Sequence, residues 1–134
     1  MIYFDTDFLV NFLIEQDSKK HQLTRTIFKE ANRKNDVFIS LLCVQETVFV
    51  LGKLGIDTEK IESIIQDFWK YNPVNYSIKH FDRAVELSKV IGFKHINDCL
   101  HTAVAETYCD ELYTFNQDDF KKIKRHTSLK INIL

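Results

Sequence analysis

The sequence predicts an α/β domain with a parallel sheet at its centre, and three observations carry that expectation. Short, continuous apolar runs alternate along the chain with longer stretches of helical periodicity. Those runs lack the alternation of strands that keep one face wet, which suits strands buried on both faces. The helical stretches between them are long enough to serve as crossovers between parallel strands. Size and composition agree: the 134 residues fit one domain, 1–134, and 45% hydrophobic with 28% charged content is a globular balance. Three glycines and one proline exclude a collagen-like chain, a flexible linker and a turn-rich β-sandwich. Eleven Phe, five Tyr and one Trp supply a core that needs no metal or disulfide to hold it.

The first strand is Ile2–Phe4, followed by a helix starting near Phe8 and crowded with Phe8, Phe12, Leu13 and Ile14. Leu23, Ile27, Phe28 and Ala31 mark a second helix that ends before the polar run Asn32–Asp36. Val37–Ile39 is the next strand, and Leu42 to Leu54 a helix closed by Gly52 and Gly55. Ile61, Ile64, Ile65, Phe68 and Trp69 lay one apolar stripe along a fourth helix, with Asp57 and Thr58 as caps. Val74–Tyr76, after Pro73, is a further strand candidate. A helix from Ile78 to Ile91 lies between a Ser77 cap and a Gly92 stop, and another carries Ile96, Cys99, Leu100, Ala103, Val104 and Thr107. Leu112–Thr114, a short helix beginning near Phe120, and Ile131–Ile133 complete the series.

Charge and cysteine usage narrow the function classes. Eighteen Lys+Arg against nineteen Asp+Glu leave a net charge of −1, which excludes a partner held by bulk positive charge alone. Cys43, Cys99 and Cys109 form no CxxC pair and sit in apolar helical stretches, so they read as small buried thiols in a reducing cytoplasm. No basic leader precedes the opening MIYFDTDF, and no apolar run approaches the roughly 18 residues of a membrane span. A cytoplasmic, soluble protein without a membrane partner is expected.

The placement of the acids is the chemical signal. Asp5 directly follows the first strand, where open α/β sheets put their ligands, although it could equally cap the next helix. Glu46 lies one turn into the third helix among Val44, Thr47, Val48 and Phe49; it is either close to a buried face or a partly exposed acid beside Gln45. Asp98 occupies the first turn of its helix, a position that the helix dipole alone also favours. Asn116, Asp118 and Asp119 follow a late strand, where they could form a capping turn. A parallel sheet would gather these positions along one edge. Gathered carboxylates repel unless cations neutralise them, and hard Mg²⁺ or Mn²⁺ is the natural answer. Such ions can activate water and stabilise the leaving oxygen in phosphodiester cleavage.

With these four motifs in order, from Asp5 to Phe120, the sequence resembles the PIN-domain family, especially its small VapC-type toxin ribonucleases. The opening IYFDTDFLVNFL is similar to the family's strand-Asp-Thr-Asn-helix start, with Asp7 where Asn is usual. FISLLCVQETVFVL resembles the second motif through Ser40 and Glu46, and INDCLHTAVAE the third through Asp98. LYTFNQDDF resembles the fourth through Thr114, Asn116 and Asp119, with Asn116 at a position that is often Asp. The resemblance implies a five-stranded parallel sheet in order 3-2-1-4-5 with helices on both faces. It implies a Mg²⁺- or Mn²⁺-dependent endoribonuclease that cuts single-stranded or looped RNA. Asp5 and Asp98 would be the principal ligands, and Glu46 a third ligand or the group that orients water. Asp119 would serve a second ion directly or through water, while Thr6 and Thr114 would hold carboxylates or a phosphate. Asp7 would be a further acid or a perturbation of the site. A homodimer and an antitoxin partner are implied as well.

Lys121, Lys122, Lys124 and Arg125, beside His126, could hold the RNA backbone or simply end a solvated helix. Lys19, Lys20, Arg25, Lys29, Arg33 and Lys34 read as an exposed helix face, and Tyr71, Tyr76 and Tyr113 as packing residues. None of the histidines has ligand spacing, so His95 and His101 read as non-catalytic. Three other readings compete with a toxin nuclease. One is a PIN-like RNA-processing nuclease that is not a toxin; another is an RNA- or protein-binding module without turnover. The third is a phosphatase of the haloacid dehalogenase type, suggested by Asp5-Thr6-Asp7 but opposed by Leu9 and by the chain's length.

Overall fold

A computed structural model describes residues 1–134. In chain order it contains β1 (Ile2–Phe4), α1 (Thr6–Leu13), α2 (Ser18–Arg33), β2 (Val37–Phe38), α3 (Leu41–Lys53), α4 (Thr58–Trp69) and α5 (Ile78–Ile91). A short 3₁₀ turn (Phe93–His95) leads into α6 (Ile96–Tyr108) and β3 (Glu111–Thr114). The chain then forms α7 (Gln117–Ile123), a second 3₁₀ turn (Lys124–His126) and β4 (Lys130–Ile133).

The sheet has four strands in the order β2-β1-β3-β4, every neighbouring pair parallel. The expected fifth strand is absent, which corrects the five-stranded expectation. Val74 makes a single bridge to Ser40 on the open edge of β2, with Val74 N donating to Ile39 O (3.1 Å) and Leu41 N to Val74 O (2.9 Å). Two causes stop it there. Pro73 has no N–H to donate, and the neighbouring strand ends at once because the chain turns into α3 at Leu41.

Helices cover both faces of the sheet. Adjacent residues of a strand point to opposite sides, and Tyr3 packs against Phe38 and His101 of α6 while Phe4 packs against Phe8 of α1 and Phe28 of α2. Phe12 stacks on Phe28 at 4.2 Å between centroids and closes the α1–α2 contact. The core comprises 26 buried residues.

Helix boundaries follow their caps. α1 starts at Thr6 rather than near Phe8 because Asp5 accepts the Thr6 N–H, and α7 starts at Gln117 because Asn116 accepts from Asp119 N. Ser40 caps α3 through Cys43 N. Gly52 lies inside α3 and does not close it; the stop belongs to Gly55, at φ 73°. Asp57 precedes α4 without a side-chain capping bond. Ser77 and Gly92 (φ 110°) bound α5. All three cysteines are free thiols, and no helix is long and apolar enough to cross a membrane.

Candidate functional site

The sheet register sets the site. Phe4 of β1 lies opposite Tyr113 of β3, so Asp5 and Thr114 leave the carboxyl ends of adjacent central strands at one level. The Asp5 N–H donates to Tyr113 O at 3.1 Å, which extends the ladder to the site itself. Asp5 is buried. Its Oδ1 accepts from Thr6 N (2.8 Å) and its Oδ2 from the Thr114 hydroxyl (2.9 Å). In the first turn of α1, Asp7 accepts the Phe115 N–H at 3.1 Å.

Glu46 arrives from α3 and Asp98 from the first turn of α6. Thr6 Oγ1 (2.7 Å) and His101 Nε2 (2.9 Å) both donate to Glu46 Oε2, and the same His101 nitrogen is 3.8 Å from Asp5 Oδ1. Asn116 Nδ2 donates to Asp119 Oδ2 (2.9 Å) and lies 3.3 Å from Asp98 Oδ2, so the amide bridges two acids. His95 Nδ1 lies 2.9 Å from Asp119 Oδ1. A cleft of about 340 Å³ is lined by Asp5, Thr6, Asp7, Glu46, Asp98 and Asn116 among others.

The electrostatics follow from crowding. Burial, then the Asp5 charge, then Asp119 push the Asp98 carboxyl up to about 8. Burial and Asp5 push Asp7 up to about 6. Burial opposes ionisation of Glu46 as well, but the His101 and Thr6 hydrogen bonds hold it below the ordinary carboxylate value. For Asp119, burial is outweighed by bonds from Asn116 and Asp98 and by the charges of His95 and Lys122, and its value is lowered. Within one cluster, therefore, Asp7 and Asp98 hold protons more tightly than an ordinary carboxyl while Glu46 and Asp119 release theirs more readily.

The donor set fits a divalent cation. Asp5, Glu46, Asp98 and Asp119 offer hard carboxylate oxygens of the kind that Mg²⁺ and Mn²⁺ take. One ligand atom from each of His95, Asp98 and Asp119 lies within 4.8 Å of the others. The second ring nitrogen of His95, Nε2, is buried without a hydrogen-bond partner. A cation among these groups would offset the burial and the acidic neighbours that keep Asp98 protonated.

All eight residues expected at the site from the acidic motifs meet here: Asp5, Thr6, Asp7, Glu46, Asp98, Thr114, Asn116 and Asp119. Lys121, Lys122, Lys124 and Arg125 are exposed and none lines the cleft, although Lys122 is near enough to act on Asp119. Asp118 is exposed, as expected of a solvated cap. His95 and His101, read from the sequence as non-catalytic, both touch the acids. In sequence each stands three residues from Asp98, one helical turn before and one after, but the acids they touch, Asp119 for His95 and Glu46 for His101, come from other elements.

The sequence matches the PIN domain family over residues 2–126. No curated protein matches it. Among solved structures it is similar to a chain in the crystal structure of VapBC2 from Rickettsia felis bound to a DNA fragment from their promoter. The TM-score is 0.73 at 21% identity, covering 100% of this chain and 99% of that one.

Proposed function

Since the chain belongs to the PIN domain family, we propose that it is a Mg²⁺- or Mn²⁺-dependent endoribonuclease and the toxin of a toxin–antitoxin pair. The observation that carries this reading is the convergence of Asp5, Glu46 and Asp98 from three separate elements on one cleft, with Asp119 of a fourth joined to Asp98 through the Asn116 amide and Asp98 still protonated near neutral pH. Asp5 and Asp98 are the principal ligands in this reading, and Asp119 with His95 serves a second position. When bound, the metal supplies an activated water and charge stabilisation at the leaving oxygen. Thr114 and Thr6 hold Asp5 and Glu46 in place by hydroxyl donation. Glu46 is held at Oε2 and leaves Oε1 without a protein partner, free to orient the attacking water. The exposed Lys121, Lys122, Lys124 and Arg125 take the RNA backbone beside Asp119.

The toxin part of the reading draws on the Rickettsia felis relative, whose structure is a complex named VapBC2. Pairing with an antitoxin and formation of a homodimer draw on the exposed apolar surface of Phe49, Tyr76, Ile78 and Phe81, part of which lines a 520 Å³ cleft that also reaches Glu46. Family membership leaves no place for the phosphatase alternative. One observation favours a second reading, a binding module without turnover: the Asn116 amide already bridges Asp98 and Asp119, where a cation would otherwise reconcile them.

The test is cleavage of mixed end-labelled RNAs by metal-free protein given Mg²⁺, Mn²⁺ or EDTA, beside folded Asp5→Asn and Asp98→Asn variants. Discrete cuts that need metal and vanish in both variants are expected. RNA binding without cutting under any metal would select the second reading, and equal cutting by the variants would refute the assignment of the acids.

A further inference from the structure

His101 lies on α6 at 1% exposure, and both of its ring nitrogens are engaged. Nε2 donates to Glu46 Oε2, and Nδ1 is 2.7 Å from the hydroxyl of Tyr3, itself fully buried. That hydroxyl is 2.8 Å from Ser40 Oγ, which accepts the Cys43 N–H at 3.0 Å and so caps α3, the helix that carries Glu46. The bonds form a closed circuit from the start of α3 through β1 and α6 and back to α3 less than two turns on. Burial keeps the Tyr3 phenol well above its ordinary range, so it stays a neutral hydroxyl that can donate and accept.

Such a circuit needs a reason. Buried polar groups are tolerated only when fully bonded, and apolar side chains of similar shape would hold the same helices with less at risk. The hydrogen-bonded outlet of the circuit is the Glu46 carboxylate, gripped by one oxygen alone at 2.9 Å, while Asp5 Oδ1 stands farther from the same nitrogen at 3.8 Å. Resting on the nuclease reading above, we infer that His101 is a positioning residue that fixes the Glu46 rotamer so that Oε1 faces the attacking water or metal, with Tyr3 and Ser40 locking the ring. Nε2 carries a proton in the imidazolium and in the neutral tautomer that the Glu46 carboxylate, an acceptor only, selects, so the role does not depend on titration. Groups that hydrogen-bond a metal-binding side chain from behind typically govern about 10- to 100-fold in metal affinity or activity.

The experiment compares His101→Leu, His101→Gln and Tyr3→Phe, each checked for folding and thermal stability, by three readouts. These are kcat and KM for RNA cleavage, Mn²⁺ affinity by calorimetry, and the imidazole Nε2–H resonance by NMR. His101→Leu should lower kcat by about 10- to 100-fold with KM changed by less than about twofold. His101→Gln, whose amide nitrogen can still donate to Glu46, should recover most of that loss, and Tyr3→Phe should fall between. In the wild type the Nε2–H signal should be protected from exchange and should move on Glu46→Gln. A wild-type kcat in folded His101→Leu would overturn the inference. So would equal slowing of the Leu and Gln variants in proportion to lost stability, or an unprotonated Nε2. If the wild type cuts no RNA, the nuclease reading fails by itself. The NMR and Mn²⁺ readouts then still report whether the circuit holds Glu46.

Discussion

Replacing Asp7 by Asn should stabilise the metal-free protein, and by an amount that depends on pH. The Asp7 carboxyl is pushed up to about 6 from an ordinary 3.8, first by burial and then by Asp5. Because the folded value lies above the unfolded one, the fold binds more protons than the unfolded chain between those two values, and stability falls as pH rises through the window. At about 1.4 kcal/mol for each pH unit that separates the two values, the wild type loses about 1.5 kcal/mol at pH 5 and about 3 kcal/mol at pH 7 or above. Asparagine carries no charge at any of these values, and its carbonyl can still accept the Phe115 N–H that Asp7 accepts at 3.1 Å. Thermal melts in EDTA of wild type and Asp7→Asn should therefore coincide near pH 4 and separate by several degrees at pH 8. A constant separation at every pH would mean that packing, not charge, distinguishes the two side chains. A less stable variant at pH 8 would refute the repulsion argument altogether.

Asp98, pushed up to about 8 by burial and its acidic neighbours, should tie metal binding to proton release. The increment in Tm from Mg²⁺ or Mn²⁺ should be largest at pH 8 and shrink toward pH 5.5; an increment independent of pH would contradict it. Arg83 bonds both oxygens of Glu106 (2.9 and 3.0 Å) and the His126 carbonyl (2.8 Å), tying α5 to α6 and to the turn before β4. Arg83→Ala should lower stability by about 2 kcal/mol in urea denaturation, the range of charge-assisted bonds lost with a partly buried partner left behind. For the proposed homodimer and nuclease, Ile78→Asp combined with Phe81→Asp should leave RNA cleavage intact and lower the mass in light scattering from dimer to monomer. A dimer mass in both proteins would place the interface elsewhere, and a monomer mass in the wild type would refute the homodimer.

Much of the fold was legible because its signals are local. Ile2–Phe4 and Leu112–Thr114 read as buried strands from apolar continuity alone, and each stripe of apolar residues at helical spacing became a helix. Val74 misled because Val74 and Tyr76 after Pro73 are strand-favouring residues, whereas strand length depends on a neighbour that turns away at Leu41. The acids of the candidate site were legible for a related reason: each stands directly after a strand or within the first turns of a helix, positions that a parallel sheet gathers at one edge. The histidines were not. His101 acquires its meaning from Tyr3, 98 positions away, and from Glu46, 55 away, and no pattern along the chain encodes that circuit. His95 similarly depends on Asp119, delivered by α7 after the last central strand.

Capping and chemistry, which the sequence offers as alternative explanations for these residues, turn out to share the same side chains. Asp5 satisfies the first N–H of α1 through Oδ1 and still presents Oδ2 to Thr114 at the sheet edge. Asn116 receives the Asp119 N–H through its carbonyl while its amide reaches two carboxylates, and Ser40 caps α3 while anchoring the His101 circuit. A capping side chain is held by a helix end whose backbone cannot move far, so its remaining polar atom is fixed in direction at no further entropic cost. That is the condition a cation site needs, with several ligands aimed before the ion arrives. It also decides which substitutions are informative. Alanine at position 5 removes cap and charge together, whereas asparagine caps as well as aspartate and removes the charge with the acceptor that faces Thr114. Only the second separates the part of Asp5 that builds the fold from the part that meets the metal.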